Sequence, residues 1–152
     1  RNKDLGARLI INLEKLYLSL KKLGLKDDKV ENYYARSHKL GVVPKNLNQL
    51  KNKLFGIECN YEELNGIDFK KGCYIGQEVT ARMKHKAKLK NKLYCGHIST
   101  NPENKVDKKI YFNGKVVGEI YSIFNNYCLI KIKEDFKEEK LTVFGQPLTL
   151  VN

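Results

Sequence analysis

Tryptophan is absent from the sequence, methionine occurs once and proline three times. No run approaches the ~18 consecutive apolar residues that a membrane-spanning helix requires. Behind Arg1-Asn2-Lys3-Asp4 there is neither an initiator Met nor an apolar stretch of the signal-peptide kind. The sequence therefore reads as one that begins inside a longer protein or after a trimmed segment. Its cysteines, at 59, 73, 95 and 128, never fall at the C-x-x-C spacing of zinc and dithiol sites. No metal set is visible from spacing, and no P-loop or dinucleotide fingerprint occurs. The chain is not small and cysteine-dense like secreted scaffolds, so the thiols are expected to be reduced. Arginine is scarce as well, with four residues against 25 lysines. Arginine's planar fork is the usual reader of phosphate, so its scarcity weakens a nucleic-acid reading.

What is present describes a folded, basic chain. Its 152 residues suffice for one ordinary domain or two small ones, and 41% hydrophobic content is too high for a disordered segment. Nine tyrosines and six phenylalanines supply the large core anchors. The formal net charge of +12 fits either an acidic partner or a lysine-rich solvated surface. One cluster is local: Lys84, His85, Lys86, Lys88, Lys90 and Lys92, interleaved with Ala87, Leu89 and Leu93. It reads as the wet face of one strand, or as a docking patch.

Two regions with different periodicities follow one another. Leu9, Ile10 and Ile11, within residues 7–12, read as a short buried strand. Leu13, Leu16, Leu20 and Leu23 then share one helical face, closed by Gly24; Leu18 lies off the stripe and leaves a strand to Leu20 open. Asp27 and Asp28 offer an N-cap for a helix over 29–40, closed by Gly41 and burying Val30, Tyr33, Tyr34 and Ser37 or Leu40. Pro44 starts a short helical piece through Leu50. Residues 56–69 read as an irregular connection with a turn at Asn65-Gly66, and 79–83 as a short helix. Strands are expected at 93–98, 109–112, 115–120, 127–132, 141–144 and 147–151, with Asn113-Gly114 as a two-residue hairpin signal. That pattern makes a small antiparallel barrel or sandwich, so the fold class is α+β, with units at 1–85 and 86–152.

Chemistry concentrates at Cys73. A thiol reacts as its thiolate, which nearby cations and a helix N-terminus favour. Lys70 and Lys71 precede it, and a helix start follows at Gly76–Glu78. Gly72 and Gly76 free the backbone, Tyr74 offers a ring and a hydroxyl, and Gln77 and Glu78 can orient the loop. A buried, inert cysteine is the competing reading. Cys128 lies in an apolar strand, Cys95 in another, and Cys59 in the connection. His38 reads as a surface or capping residue near a helix end; His85 and His97 have no partner at metal or nucleophile–base spacing. The acid pairs Asp27-Asp28, Glu62-Glu63 and Glu138-Glu139 sit where capping or solvation explains them.

Lys71-Gly72-Cys73-Tyr74-Ile75-Gly76-Gln77-Glu78 resembles the K-G-C-Y-x-G-Q-E signature of the YgfZ family, relatives of the glycine-cleavage T-protein. Arg36, Gly41 and Pro44 resemble that family's R-x-x-x-G-I-P stretch with one extra residue. Arg82, within 79–83, resembles its continuation after the motif, and 1–8 a D-P-R-x-x-x-L-G-x-R segment without its first two residues. Residues 55–59 lack the proline that often precedes the family's glutamate, here Glu58. The barrel half resembles the family by strand pattern. The resemblance corresponds to the C-terminal half of a typical member, without the first folate-binding portion. It implies the C-terminal part of a T-protein-like folate-binding domain followed by a small β-barrel. It also implies Cys73 as functional thiol in a loop shaped by Lys71, Gly72, Tyr74, Gly76, Gln77 and Glu78, with Arg36, Glu58 and Arg82 toward folate. The implied function is folate-dependent assembly or repair of [4Fe–4S] proteins, including tRNA-modifying enzymes. Tetrahydrofolate or a one-carbon derivative is the implied cofactor, with its pocket incomplete, and any iron–sulfur cluster is transient. The implied partners are iron–sulfur clients or assembly factors, with RNA only indirect and no membrane, in a bacterial cytoplasm or a mitochondrial matrix.

Two other readings compete. A T-protein aminomethyltransferase shares fold and folate, but T-proteins usually lack the Cys-Tyr pair in the corresponding G-x-x-x-G-x-E region. A basic RNA-binding module would use the lysines of 84–92 and would lose specific binding steeply with added salt.

Overall fold

A computed structural model describes residues 3–7, 9–43, 48–50, 52–86, 89–100 and 107–151. Arg1, Arg8, Pro44, Ala87 and Lys88, on which some sequence expectations fall, lie outside the described residues. The architecture is α+β. Three helices, α1 (Leu13–Lys22), α2 (Val30–Lys39) and α3 (Gln77–Lys86), precede six strands. These are β1 (Asn91–Ile98), β2 (Lys109–Phe112), β3 (Lys115–Phe124), β4 (Tyr127–Lys133), β5 (Leu141–Val143) and β6 (Gln146–Val151). The strands close into an antiparallel barrel in the order β1-β4-β3-β2-β5-β6.

Tight turns set the strand registers. Asn113 and Gly114 have φ of 48° and 75°, the left-handed pair that a two-residue turn between right-twisted strands needs. Phe144 and Gly145 repeat the device at 52° and 71°, and Phe144 packs on the barrel core. Inside the barrel Ile98, Ile110, Val117, Ile120, Cys128, Ile130, Ile132, Leu141, Val143 and Leu148 form one apolar cluster. A second cluster lies outside the barrel wall, where Leu93, Tyr121 and Leu129 meet Leu50, Val43 and Leu54. The register of β3 against β4 shifts between Ile120 and Ser122. This bulge inserts Tyr121, and both Tyr121 and Ser122 meet the residues that coat the wall.

Several expectations are corrected. Residues 9–12 form no strand, and Leu9, Ile10 and Ile11 are exposed, because the barrel strands pair among themselves. Helix α1 forms, which rules out a strand to Leu20; Asn12 Oδ1 accepts from Glu14 N–H at 2.9 Å, and Gly24 sits at φ 62°. None of its residues is buried, so its leucine stripe meets no covering element among the described residues. The N-cap of α2 is Lys29, which makes no side-chain cap bond. Asp28 sits one residue earlier and accepts from Lys29 N–H at 2.7 Å and from the Asn32 amide. The face that α2 buries is Ser37 and His38, while Val30 and Tyr33 are exposed. The lysines of 84–92 do not share one strand face: Lys84 and His85 belong to the last turn of α3, and Lys92 to β1.

Gly118 marks the closest backbone approach in the barrel. A Cβ there would collide with the Lys131 carbonyl and come within 2.7 Å of Ile132 Cγ2. Gly118→Ala should lower unfolding stability by about 1–3 kcal/mol, the usual cost of overpacking. Urea unfolding reads this directly, and an unchanged midpoint would contradict the close packing of β3 on β4.

Candidate functional site

The connection that carries the motif is bonded to the barrel before the motif begins. Leu93 N–H donates to Glu58 O at 2.8 Å, and the Asn60 amide donates to Leu93 O at 2.9 Å. Glu58 is buried, and its Oε2 accepts from Phe55 N–H at 2.9 Å, closing the turn that leads into the connection. Tyr61 O gathers the N–H groups of Gly66 and Ile67, and Asn65 takes φ 55° in the turn expected there.

The motif then folds on local bonds. Asp68 Oδ1 accepts from Lys70 N–H at 2.8 Å. Gln77 N–H donates to Tyr74 O at 3.1 Å, and Gln77 Oε1 accepts from Tyr74 N–H at 3.3 Å. Gly76, at φ 86°, holds the left-handed position that a type II turn over 74–77 requires. Thr80 donates from both N–H and Oγ to Gly76 O, which starts α3. Lys71 Nζ stands 4.2 Å from the centre of the Tyr74 ring. The Tyr74 hydroxyl is buried and has no hydrogen-bond partner among the described residues. Lys70, Lys71, Gly72 and Cys73 are all exposed.

Cys73, Lys71, Gly72, Tyr74, Gly76, Gln77 and Glu78 thus lie together in one loop and the first turn of a helix. Arg82 is one turn on and pairs with Glu78 at 2.7 Å, on an exposed face. Arg36 lies exposed on α2, and the Glu58 carboxylate is already engaged with Phe55. The other side of α3 walls a cleft of about 330 Å³, lined by Ile57, Glu62, Glu63, Met83, Lys84, Leu89, Lys92 and Glu134. Lys84 pairs with Glu62, Lys92 with Glu63 at 2.5 Å, and Tyr94 donates to Glu134 at 2.6 Å. Burial, and then the bond to Glu134, hold the Tyr94 phenol protonated well above its usual range. None of Arg36, Glu58 and Arg82 lines this cleft, and no contact among the described residues joins the three. The described residues alone therefore do not assemble a folate pocket, and the chemistry below uses none.

The cysteines divide by environment. Cys59, Cys95 and Cys128 are buried, whereas Cys73 is exposed. Burial, with the Glu58 charge second, pushes the Cys59 thiol up to about 11, and burial pushes Cys95 up to about 12. Both stay protonated at neutral pH. Only Cys73 offers an accessible sulfur to an external partner.

His38 is the residue that the sequence reading misplaced. It is 2% exposed. Its Nδ1 lies 2.8 Å from Tyr34 O, and its Nε2 lies 2.6 Å from Ser122 Oγ on the β3 bulge. A carbonyl only accepts, so Nδ1 carries the proton and the neutral ring accepts from Ser122. The ring also packs on Phe124. The available signal was helical spacing: Tyr34, His38 and Gly41 continue one stripe.

Three helices before a closed six-stranded barrel make the chain α+β, with an exposed thiol in the loop that leads into α3. Comparison with known proteins adds its relatives. A 31% identical match over 88 residues, 58% of this chain, joins it to an iron–sulfur cluster assembly factor IBA57 homolog, mitochondrial, of Neurospora crassa. A Dictyostelium discoideum protein of the same description is 27% identical over 95 residues. The tRNA-modifying protein YgfZ of Colwellia psychrerythraea is 33% identical over 79 residues, 47% of this chain. The chain is thus a homologue of the IBA57 and YgfZ proteins, members of the YgfZ branch of the T-protein-like family, at low identity over part of its length. The matches cover 20%, 23% and 24% of those relatives, so the chain spans about a quarter of the curated relatives it matches. No protein-family model matches it.

Two measurements follow from this geometry. In timed alkylation near pH 7.5, Cys73 should react at least about tenfold faster than Cys59, Cys95 or Cys128, because only its sulfur is accessible and the protonated thiols barely react. Equal rates by peptide mass spectrometry would contradict the buried placement of the other three. Burial also lowers the His38 pKa below its ordinary 6.5. The unfolded chain then takes up a proton in a range where the folded chain does not, so the stability His38 contributes is complete above about pH 6.5 and declines as pH falls below it. His38→Gln should flatten that decline in urea titrations between pH 7.5 and 5; an identical slope would mean His38 does not control it.

Proposed function

We propose that this chain is part of an accessory factor that assembles or repairs iron–sulfur proteins, [4Fe–4S] tRNA-modifying enzymes among them. The observation that carries the reading is Cys73: an exposed sulfur in a turn-locked loop between Lys71 and α3, while three other thiols are buried. The similarity to an iron–sulfur cluster assembly factor and to a tRNA-modifying protein supports it. A thiolate is a soft ligand suited to iron–sulfur chemistry, and an accessible one can offer a ligand to a cluster held elsewhere. In this reading the cluster is cargo. Cys73 is the functional thiol, and Gly72, Gly76, Gln77 and Glu78 shape its loop. Residues 1–85 act as the coat and motif unit, and 86–152 as the supporting barrel. The link to tetrahydrofolate or a one-carbon derivative belongs to the whole protein, with Arg36, Glu58 and Arg82 as this chain's contributions to it.

Such a factor would act in the mitochondrial matrix in a eukaryote, as the mitochondrial relatives suggest, or in the cytoplasm in a bacterium. No helix among the described residues is long and apolar enough to cross a membrane. Two members of the basic cluster, Lys84 and Lys92, are paired with Glu62 and Glu63, which leaves those two less free to meet RNA phosphates.

The test places the gene encoding this chain in cells lacking their own YgfZ-type factor, with activity of a [4Fe–4S] tRNA-modifying enzyme as readout. Wild type should restore that activity and Cys73→Ser should not. Restoration by both would remove Cys73 as the working atom, and restoration by neither would move aminomethyl transfer with the lipoyl carrier protein to the front.

A further inference from the structure

Ile75 is 104% exposed, more than any other large apolar side chain described. It is not a loose residue. It occupies a turn closed by the Gln77 N–H to Tyr74 O bond and braced by the Gln77 side chain on Tyr74 N–H. Gly76 at φ 86° fixes the turn's shape, and the Tyr74 hydroxyl at its base is buried. The fold therefore holds one β-branched apolar side chain rigidly in water, next to the exposed Cys73. Val79, in the first turn of α3, is half exposed. None of the described residues covers Ile75, so its burial becomes favourable only against another surface. The charges around it indicate what surface that is. Lys70 and Lys71 are exposed and pair with no carboxylate among the described residues, while the acid nearest in the helix, Glu78, is taken by Arg82.

We propose that Ile75, with Val79 of the helix that follows, is the apolar contact by which the thiol loop docks on a protein partner. That partner presents a small apolar pocket within an acidic surface, so that Lys70 and Lys71 meet its carboxylates and Cys73 comes to rest at the rim. This rests on the functional reading of the loop and adds the chemistry of its partner. An apolar centre with a charged rim is the usual anatomy of a specific protein interface, and complementary charge speeds encounter.

The experiment uses the full-length gene product in the cells described above. Ile75→Ser should reduce the restored [4Fe–4S] enzyme activity about tenfold at equal protein level and unchanged melting temperature, because the side chain packs on none of the described residues. Ile75→Val should retain most of it. Activity restored in full by Ile75→Ser, with wild type also active, overturns the docking role and leaves the functional reading standing. Wild type failing to restore activity removes the functional reading instead, and a photo-crosslinking residue at position 75 still decides the docking. Adducts from 75 and 79 onto acid-rich peptides of another protein, weakened by added salt and absent from a probe at Val116, support it. Adducts equal at all three positions overturn it. So does co-sedimentation with anionic phospholipid vesicles that Ile75→Ser abolishes, since the knob would then belong to a membrane contact.

Discussion

Strand β4 is buried on both faces, and most of the structure follows from that. Cys128, Ile130 and Ile132 look into the barrel, while Leu129 between them looks out and is equally buried. A strand of this kind cannot rest on a bare barrel, because its outer residue must be covered. The coat supplied by Val43, Leu50, Leu54 and α2 is that cover. Its energetics are apolar: burying a side chain such as Leu129 contributes about 1.5–3 kcal/mol. Exposed or half-exposed pairs such as Lys92–Glu63 contribute about 0–1 kcal/mol each. The ion pairs trim the coat, and the leucines hold it.

The bulge in β3 and His38 are the polar counterpart of the same constraint. By carrying one extra residue, β3 turns Tyr121 into the outer apolar cluster and offers Ser122 to the histidine of α2. A buried imidazole is costly unless both nitrogens are satisfied, and here a carbonyl and a hydroxyl satisfy them. The contact fixes which face of α2 rests on the barrel. The motif loop depends on none of this for its own shape. Its turn is made by Tyr74, Gly76 and Gln77 among themselves, and the coat decides only where it stands.

The difference between legible and illegible features follows the range of the forces involved. The Asn113-Gly114 hairpin, the cap at Gly24 and the loop before α3 are local, and residue type alone announces them. The strand pattern was legible because short apolar runs alternate with turn residues such as Asn113-Gly114. The strand read into Leu9–Ile11 failed because an apolar triplet says nothing about whether a pairing partner is present. His38 was misread because its burial depends on a serine 84 positions away, brought within reach by a bulge that no local signal marks. The basic run of 84–92 looked like one face because lysines alternate there, yet a helix end and a strand start divide it. Within the site, the loop before α3 was readable from the motif, whereas the exposure of Cys73 was one of two readings left open by residue type. Arg36, Glu58 and Arg82 share no local pattern, and the described contacts do not bring them together.

The barrel returns to its first strand through β6, where Cys95 faces Val151 and Ile98 faces Leu148. Among the described strands the circle of pairing is complete, with β2 and β5 joined by the single pair Tyr111 and Thr142. Such closure leaves little unpaired strand backbone on which a foreign peptide, or another copy of the chain, could lay down a further strand. Recognition by strand addition is therefore disfavoured at the described barrel, and so is templated aggregation. Whatever the barrel supports has to be recognised through side chains and loops.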